Sequence, residues 1–296
     1  MLLDWMVREL RLEPSYITHL ASRASHLYKT FSIPKASGER RVIHNPTREL
    51  KAIHRWLLRR VISSLPVHEA AAAYRKGKGV LNHALVHAGG RYLLRLDLRH
   101  FFPSLTSDDV SAHNRQYAKR IHVDWTIDDT ELLCKLVCRW GRLTIGAPTS
   151  PALSNTLCHP LDKGLSELAA SLEAKYTRYA DDLYFSSMIR GTLEKVPTQV
   201  SAILEGLAYP VHLRLNYQKT RHSSRGHRQM ITGLVLTNEG TVSVGRARKR
   251  LLRSYLHRYD ELDPAERLKV AGLLAHYRSV EPGLIDRKVS PGPVVT

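Results

Sequence analysis

Residues 177–186 read TRYADDLYFS, with two adjacent aspartates between runs rich in aromatic residues. Those runs read as strands, where Asp is unwelcome, and adjacent carboxylates repel one another. The dipeptide occurs twice more, as Asp108-Asp109 and Asp128-Asp129. Ser107 precedes the first pair and Thr126 stands two residues before the second. Both therefore read as helix N-termini, where the dipole favours negative charge. No helix begins after Asp182: LYFSS continues as a strand, which puts Asp181 and Asp182 in the turn of a hairpin with aromatic arms. Plain turn chemistry is the competing reading, since Asp is common in turns. Two ionised carboxylates side by side call for a cation, and hard divalent ions take oxygen ligands.

A third carboxylate on a neighbouring strand end would complete such a site, and Asp97 is the candidate. In RYLLRLDLRHFFPSL (91–105), Tyr92, Leu94, Leu96 and Leu98 alternate with Leu93, Arg95 and Asp97. A strand with that period delivers one carboxylate to its less apolar face. The first 30 residues read as helical, with Leu2, Met6, Leu10, Ile17, Leu20 and Ala21 at helical spacing. FSIPKASGERRVIHNP (31–46) reads as a basic hairpin turning at Ser37-Gly38. Residues 48–64 place Leu50, Ile53, Trp56, Leu57, Val61 and Ile62 on one helical face. Further helices are expected from near Ser107, over 130–140, over 151–173 with Pro151 in the first turn, and near 196–208. Short strands are expected around 211–216 and 229–236, then a basic helical tail and a loose end. Strands and helices mixed in one run predict an α/β or α+β core.

The chain has 296 residues, 43% of them apolar, and a formal net charge of +18. A surface that basic attracts phosphate backbones through counterion release, so nucleic acid is the expected partner. An anionic membrane face is the weaker alternative, because no lipidation motif accompanies the basic tail. No run reaches the roughly 18 consecutive apolar residues of a membrane-spanning helix. MLLDWMVRELRLEPS has no basic leader region, so a cytoplasmic protein is expected. Cys134, Cys138 and Cys158 form no CxxC pair, which argues against a disulfide frame or a structural zinc.

Tyr179-Ala180-Asp181-Asp182 resembles the YADD box of reverse transcriptases, and LDLRHFFPSL (96–105) resembles the box that carries their first catalytic aspartate. GAPTSPALSN (146–155) is similar to the loop and helix that lie between those boxes. IPKASGERRVI (33–43) resembles the basic fingers motif, and LNYQKT (215–220) the motif with a lysine behind the active site. Within that family, LNHALVH (81–87) is similar to the NAxxH signature of retron reverse transcriptases and ITGLVLT (231–237) to their VTG signature. RELKAIHRWLLRRVI (48–62) and VGRARKRLLRSYLH (244–257) also look retron-like.

The resemblance implies a right-hand polymerase that copies part of a structured noncoding RNA into DNA from a 2′-hydroxyl primer, usually in anti-phage defence beside an effector protein. It divides the chain into an N-terminal helical region (1–30), fingers (31–90, with further elements near 115–145), palm (91–114 and 146–237) and helical thumb (238–296). Asp97 and Asp181 become direct ligands of two Mg²⁺ ions, for which Mn²⁺ can substitute, with the Leu98 carbonyl assisting and Asp182 as a more remote or intermittent ligand. Two metals of this kind clamp the attacking and leaving oxygens of phosphoryl transfer in line. Lys35 and Arg41 are expected on the β and γ phosphates of a dNTP, Phe102 as the steric gate against a 2′-hydroxyl, and Lys219 behind the aspartates. Gly146 and Ala147 would line the nucleotide pocket through their backbones, since Ile145 stands where the family usually has Gln. His83 stands where the signature has Asn, next to Asn82, and either can supply a polar contact. Asn82, His83, His87, Thr232 and Gly233 are carried over as contacts to nucleic acid, although His87 read by itself is a hydrogen-bonded structural histidine. Arg246, Lys249, Arg250 and Arg253 form the basic face of a thumb helix that would follow the RNA–DNA duplex by shape and phosphate, with Leu252, Tyr255, Leu256 and Tyr259 on its packed face. Two other functions remain: a different bacterial defence or intron-type reverse transcriptase, and an RNA-binding protein with a degenerate polymerase fold.

Overall fold

The computed structural model of the chain describes residues 1–34 and 38–284. Helices α1 (Leu2–Leu10) and α2 (Pro14–Arg23) open the chain and bury Leu2, Met6, Ile17, Leu20 and Ala21. Strands β1 (Tyr28–Pro34) and β2 (Arg40–Pro46) form the expected antiparallel hairpin, with Ile33 opposite Arg41. Lys35 and Ser37, the latter expected at the turn, lie outside the described residues, as does the loose end expected of the chain. Helix α3 (Arg48–Arg60) starts at Thr47, whose hydroxyl accepts from Leu50 N, and its apolar stripe is buried as far as Leu57.

Helix α4 (Val80–His87) and strand β3 (Tyr92–Asp97) follow, then α5 (Ser107–Tyr117) and α6 (Ile127–Val137). The starts of α5 and α6 account for the two other Asp-Asp pairs. Asp109 and Asp129 accept from the backbone N–H of Thr106 and Thr126 at 2.8 and 2.9 Å. The threonine hydroxyls reciprocate, so each pair completes a capping box. The cap of α5 is thus Thr106, one residue ahead of Ser107.

The single helix expected over 151–173 is two, α7 (Ser150–Leu157) and α8 (His159–Ser171). Pro160 has no N–H to give the Thr156 carbonyl, so the ladder breaks there and Pro160 takes the first turn of α8. Strands β4 (Lys175–Tyr179) and β5 (Asp182–Ser187) enclose the turn at Ala180-Asp181, and α9 (Val196–Gly206) packs on α8. Residues 211–216 are not a strand. They meet β3 only around a bridge between Leu98 and Leu215, and the edge strand β6 (Arg221–Ser224) comes later. The stretch 229–236 is likewise divided, into β7 (Gln229–Ile231) and β8 (Leu234–Leu236), because Thr232 and Gly233 take positive φ values of 45° and 85° and turn the chain. Strand β9 (Val242–Ser243) and helices α10 (Arg246–His257) and α11 (Pro264–Val280) complete the described chain.

The central sheet has the order β4-β5-β3-β6 and is antiparallel throughout. Its two faces separate two cores. Leu94, Leu96, Leu183 and Phe185 join the first, with α1–α3 and α5–α9. Leu93 and Tyr184, on the opposite face by the period of two, join a second core with α4, β7–β9, α10 and α11. Arg95, Asp97 and Asp182 share that second face at its other end, so the carboxylates stand where the apolar cover of the sheet stops. No helix among the described residues is long and apolar enough to cross a membrane.

Candidate active site

Asp97 ends β3 and Asp182 begins β5, and the two are direct partners in the sheet register. Leu98 N donates to the Asp181 carbonyl at 2.8 Å, which ties the hairpin turn to the end of β3. The turn itself requires Ala180 at φ 56°, a left-handed conformation that a residue with a Cβ resists. Arg178 holds it there: its guanidinium donates to the Ala180 carbonyl and to Asn155 Oδ1, both at 3.2 Å. The rest of the fork lies on Asp162, at 2.8 and 2.7 Å, and Tyr176 donates to the same carboxylate. Arg178 and Asp162 are both 0% exposed, so each depends on the other. A buried ion pair that loses one partner costs about 3–5 kcal/mol. Nothing in the sequence read alone pairs Arg178 with Asp162; its one signal is an arginine inside an aromatic strand.

Asp97 is 3% exposed. Lys219 Nζ stands 3.1 and 3.0 Å from its two oxygens, and Asn216 Nδ2 donates to it at 3.2 Å. Asp182 is gripped by both arms of Arg95, at 2.9 Å each. Asp181 has neither clamp. Burial raises its carboxyl above the ordinary value, the charge of Asp97 adds to that, and Lys219 and Arg41 pull it back. Burial likewise pushes Asp182 up to about 6 against the pull of Arg95, so it is ionised at neutral pH and paired.

Among the described residues no three Asp, Glu, His or Cys side chains converge as a ready metal cage. What fits a divalent ion is the pair Asp97 and Asp181: hard oxygen donors, the charge of Asp97 disfavouring that of Asp181, which a bound cation would relieve.

The loop before α7 is pinned to the hairpin. His44 N on β2 donates to the Ile145 carbonyl at 2.8 Å. Gly146 has φ 112°, and a Cβ there would stand 2.7 Å from the His44 carbonyl oxygen. Gly146→Ala is therefore expected to cost roughly 2–4 kcal/mol through strain and overpacking, read as a lower denaturant midpoint. Ala147 is buried behind it. Phe102 is half-buried, with its ring 5.4 Å from that of the buried Phe101. Arg41 is exposed on the hairpin, within electrostatic reach of Asp181.

Of the signature residues on α4, two are buried and one is exposed. His87 is fully buried, with Nδ1 2.8 Å from Ser186 Oγ and Nε2 2.7 Å from Thr177 Oγ1. His83 is buried too, stacked on Tyr179 at 5.3 Å and edge-on to Tyr184 at 4.9 Å. Asn82 accepts from Gly79 N at 3.1 Å and caps α4. His83 and His87 thus brace the strands that present Asp181 and Asp182, while Asn82 stays exposed at the start of α4. Thr232 and Gly233 form the β7–β8 turn, and the Gly233 carbonyl accepts from Arg248. On α10, Arg246, Arg250 and Arg253 are exposed, whereas Lys249 is paired with Glu281 at 2.6 Å. Leu252 and Leu256 are buried on its other face, with Tyr255 and Tyr259 half-buried beside them.

Comparison with known proteins gives this geometry its class. The model of the family "Reverse transcriptase (RNA-dependent DNA polymerase)" matches residues 33–250, and the chain belongs to that family. Retron Ec83 reverse transcriptase of Escherichia coli is 33% identical over 285 residues, covering 93% of this chain and 89% of the relative. Retron Ec86 reverse transcriptase of the same organism is 31% identical over 282 residues, covering 93% and 83%. The protein is an RNA-directed DNA polymerase of a retron, and it binds an RNA template and nucleotides. Among solved structures, apo telomerase from Candida Tropicalis truncated from its C-terminal domain aligns with a TM-score of 0.50 at 15% identity, over 73% of this chain. The chain spans about half of that telomerase (54%), and the likeness is one of fold.

Proposed function

We propose that the enzyme copies part of a structured noncoding RNA into DNA from a 2′-hydroxyl of that RNA, leaving a branched RNA–DNA, and that it acts in anti-phage defence with an effector protein. The observation that carries the catalytic part is the register that sets Asp97 beside the Asp181-Asp182 turn. The retron relatives support the finer part.

In this reading residues 31–90, with elements near 115–145, are fingers, 91–114 and 146–237 palm, and 238–296 thumb, behind an N-terminal helical region of residues 1–30. Two Mg²⁺ ions, for which Mn²⁺ can substitute, supply when bound the Lewis acid that activates the primer hydroxyl and steadies the triphosphate. Asp97 and Asp181 hold them, with the Leu98 carbonyl assisting. Asp182, on Arg95, keeps the turn in register and serves as an outer or intermittent ligand. Lys219 balances the charge of Asp97. Arg41, with Lys35, binds the β and γ phosphates as charge-assisted donors. Phe102 excludes a ribonucleotide sugar, and the backbone at Gly146 and Ala147 shapes the pocket. Arg246, Arg250 and Arg253 follow the backbone of the copied duplex. Free, buried Cys134, Cys138 and Cys158 suit a reducing cytoplasm.

Nucleic acid that copurifies with the wild-type protein should contain DNA joined through a 2′-linkage to a short RNA, resistant to alkali only on its DNA arm. Linear DNA alone would rule out the branched product and leave the polymerase assignment intact.

A further inference from the structure

Tyr74 breaks two local rules at once. It takes φ 58° although it is a bulky residue with a Cβ, and its ring is 52% exposed. A non-glycine residue pays strain in that region, and such strain persists where neighbours over-determine it, most often at functional sites. Those neighbours are identifiable. Ala72 N donates to the Arg178 carbonyl and Arg178 N to the Ala70 carbonyl, both at 2.8 Å, so residues 70–72 lie against β4 as a parallel partner with Ala71 beside Arg178. The Ala73 carbonyl accepts from Asn155 Nδ2 at 2.8 Å, and Asn155 is itself held by Arg178. On the far side, Arg75 Nη1 binds the carbonyls of His68, Glu69 and Ala71 at 3.2, 3.3 and 3.2 Å.

The parallel register carries the consequence. The bridge of Ala71 to Arg178 sets the segment that carries Tyr74 beside the strand leading into the Ala180-Asp181 turn. The Tyr74 hydroxyl is within electrostatic reach of Asp181 and of Arg41 on the hairpin. Lys219 and Asn216 approach Asp97 from the opposite, β6, flank of the sheet. Lys219, paired with Asp97, and the segment that carries Tyr74 therefore reach the carboxylates from opposite edges of the sheet. One guanidinium, that of Arg178, sets both the Ala180 turn under Asp181 and, through Asn155, the backbone under Tyr74.

We propose that Tyr74 is a nucleotide-contacting residue of the polymerase site, whose ring packs against the sugar and base of the nucleotide held over Asp181. It rests on the polymerase reading of that site. The left-handed backbone presents an exposed ring within electrostatic reach of Asp181 and Arg41, and stacking of this kind accepts every base.

The test compares Tyr74→Gly, Tyr74→Phe and the parent on an RNA template with a DNA primer, measuring kcat and KM for dNTP, Kd for the template–primer and melting temperature. Glycine accepts the left-handed backbone, so Tyr74→Gly should melt no lower than the parent, whereas kcat/KM or template–primer affinity falls about tenfold to a hundredfold. Tyr74→Phe keeps the ring and should stay within about threefold of the parent. Unchanged kinetics and affinity in Tyr74→Gly would overturn the proposal, and so would a loss explained by a lower melting temperature. A parent enzyme that extends no primer would instead sink the polymerase reading, with the template–primer Kd still deciding the role of Tyr74.

Discussion

Asp181→Asn is expected to abolish primer extension, lowering kcat by roughly 10³-fold or more, while leaving the metal-free protein at least as stable as the parent. Both halves come from one geometry. The carboxylate is one of the two fitted for metal, so its loss removes the electrostatic stabilisation that phosphoryl transfer depends on. The same group is raised above the ordinary Asp value by burial and by the charge of Asp97, so its ionised form opposes folding and a neutral amide does not. Parallel measurement of dNTP incorporation and thermal melting separates the two effects. A variant that is inactive only because it unfolds would contradict this account.

The second large effect is acid unfolding. Burial depresses His54, His83 and His113 to about 4 and His87 to about 3, the charge of His83 adding at His87. An unfolded histidine titrates near 6.5, so below that pH the unfolded chain binds protons that the folded chain refuses. These groups contribute stability that is fully present above about pH 6.5 and is lost as pH falls toward 4. By pH 5 the loss is on the order of 2 kcal/mol for each histidine. Asp182, raised to about 6, works in the opposite sense between about pH 4 and 6, as does the raised carboxyl of Asp181, and two carboxyls do not offset four imidazoles. Melting temperature should fall steeply between pH 7 and 5, and His87→Gln, which keeps polar atoms for Ser186 and Thr177, should flatten the slope. A melting temperature independent of pH over this range would contradict the buried neutral histidines.

How much of this was legible beforehand differs by element. The hairpin around Asp181-Asp182, the β3 strand with Asp97 and the two helix starts at the other Asp-Asp pairs were readable, because period-two alternation and capping chemistry are local. Pro160 carried a readable break in the helix over 151–173 that apolar periodicity obscured. The missed parts depend on register between distant segments. Arg95 on Asp182 is fixed by the pairing of β3 with β5, and Arg178 with Asp162 and Asn155 under Ala73 by how α8 and α7 pack on distant segments, and no spacing along the chain reports that. His83 and His87 show the same limit: the motif that names them is local, but the second core that buries them is assembled from α4, β8 and the helices near the end of the chain. Tyr74 carried no sequence signal, since its left-handed backbone is imposed by hydrogen bonds from β4 and α7.

The central claim is that Asp97 and Asp181 form the catalytic centre of an RNA-directed DNA polymerase. Its most direct test is incorporation of dNTPs by the purified wild-type protein on a defined RNA template with a DNA primer, with and without Mg²⁺, beside Asp97→Asn and Asp181→Asn. Templated, metal-dependent extension by the wild type and none by either variant is the predicted result; extension by either variant, or none by a folded wild type with metal present, would contradict it.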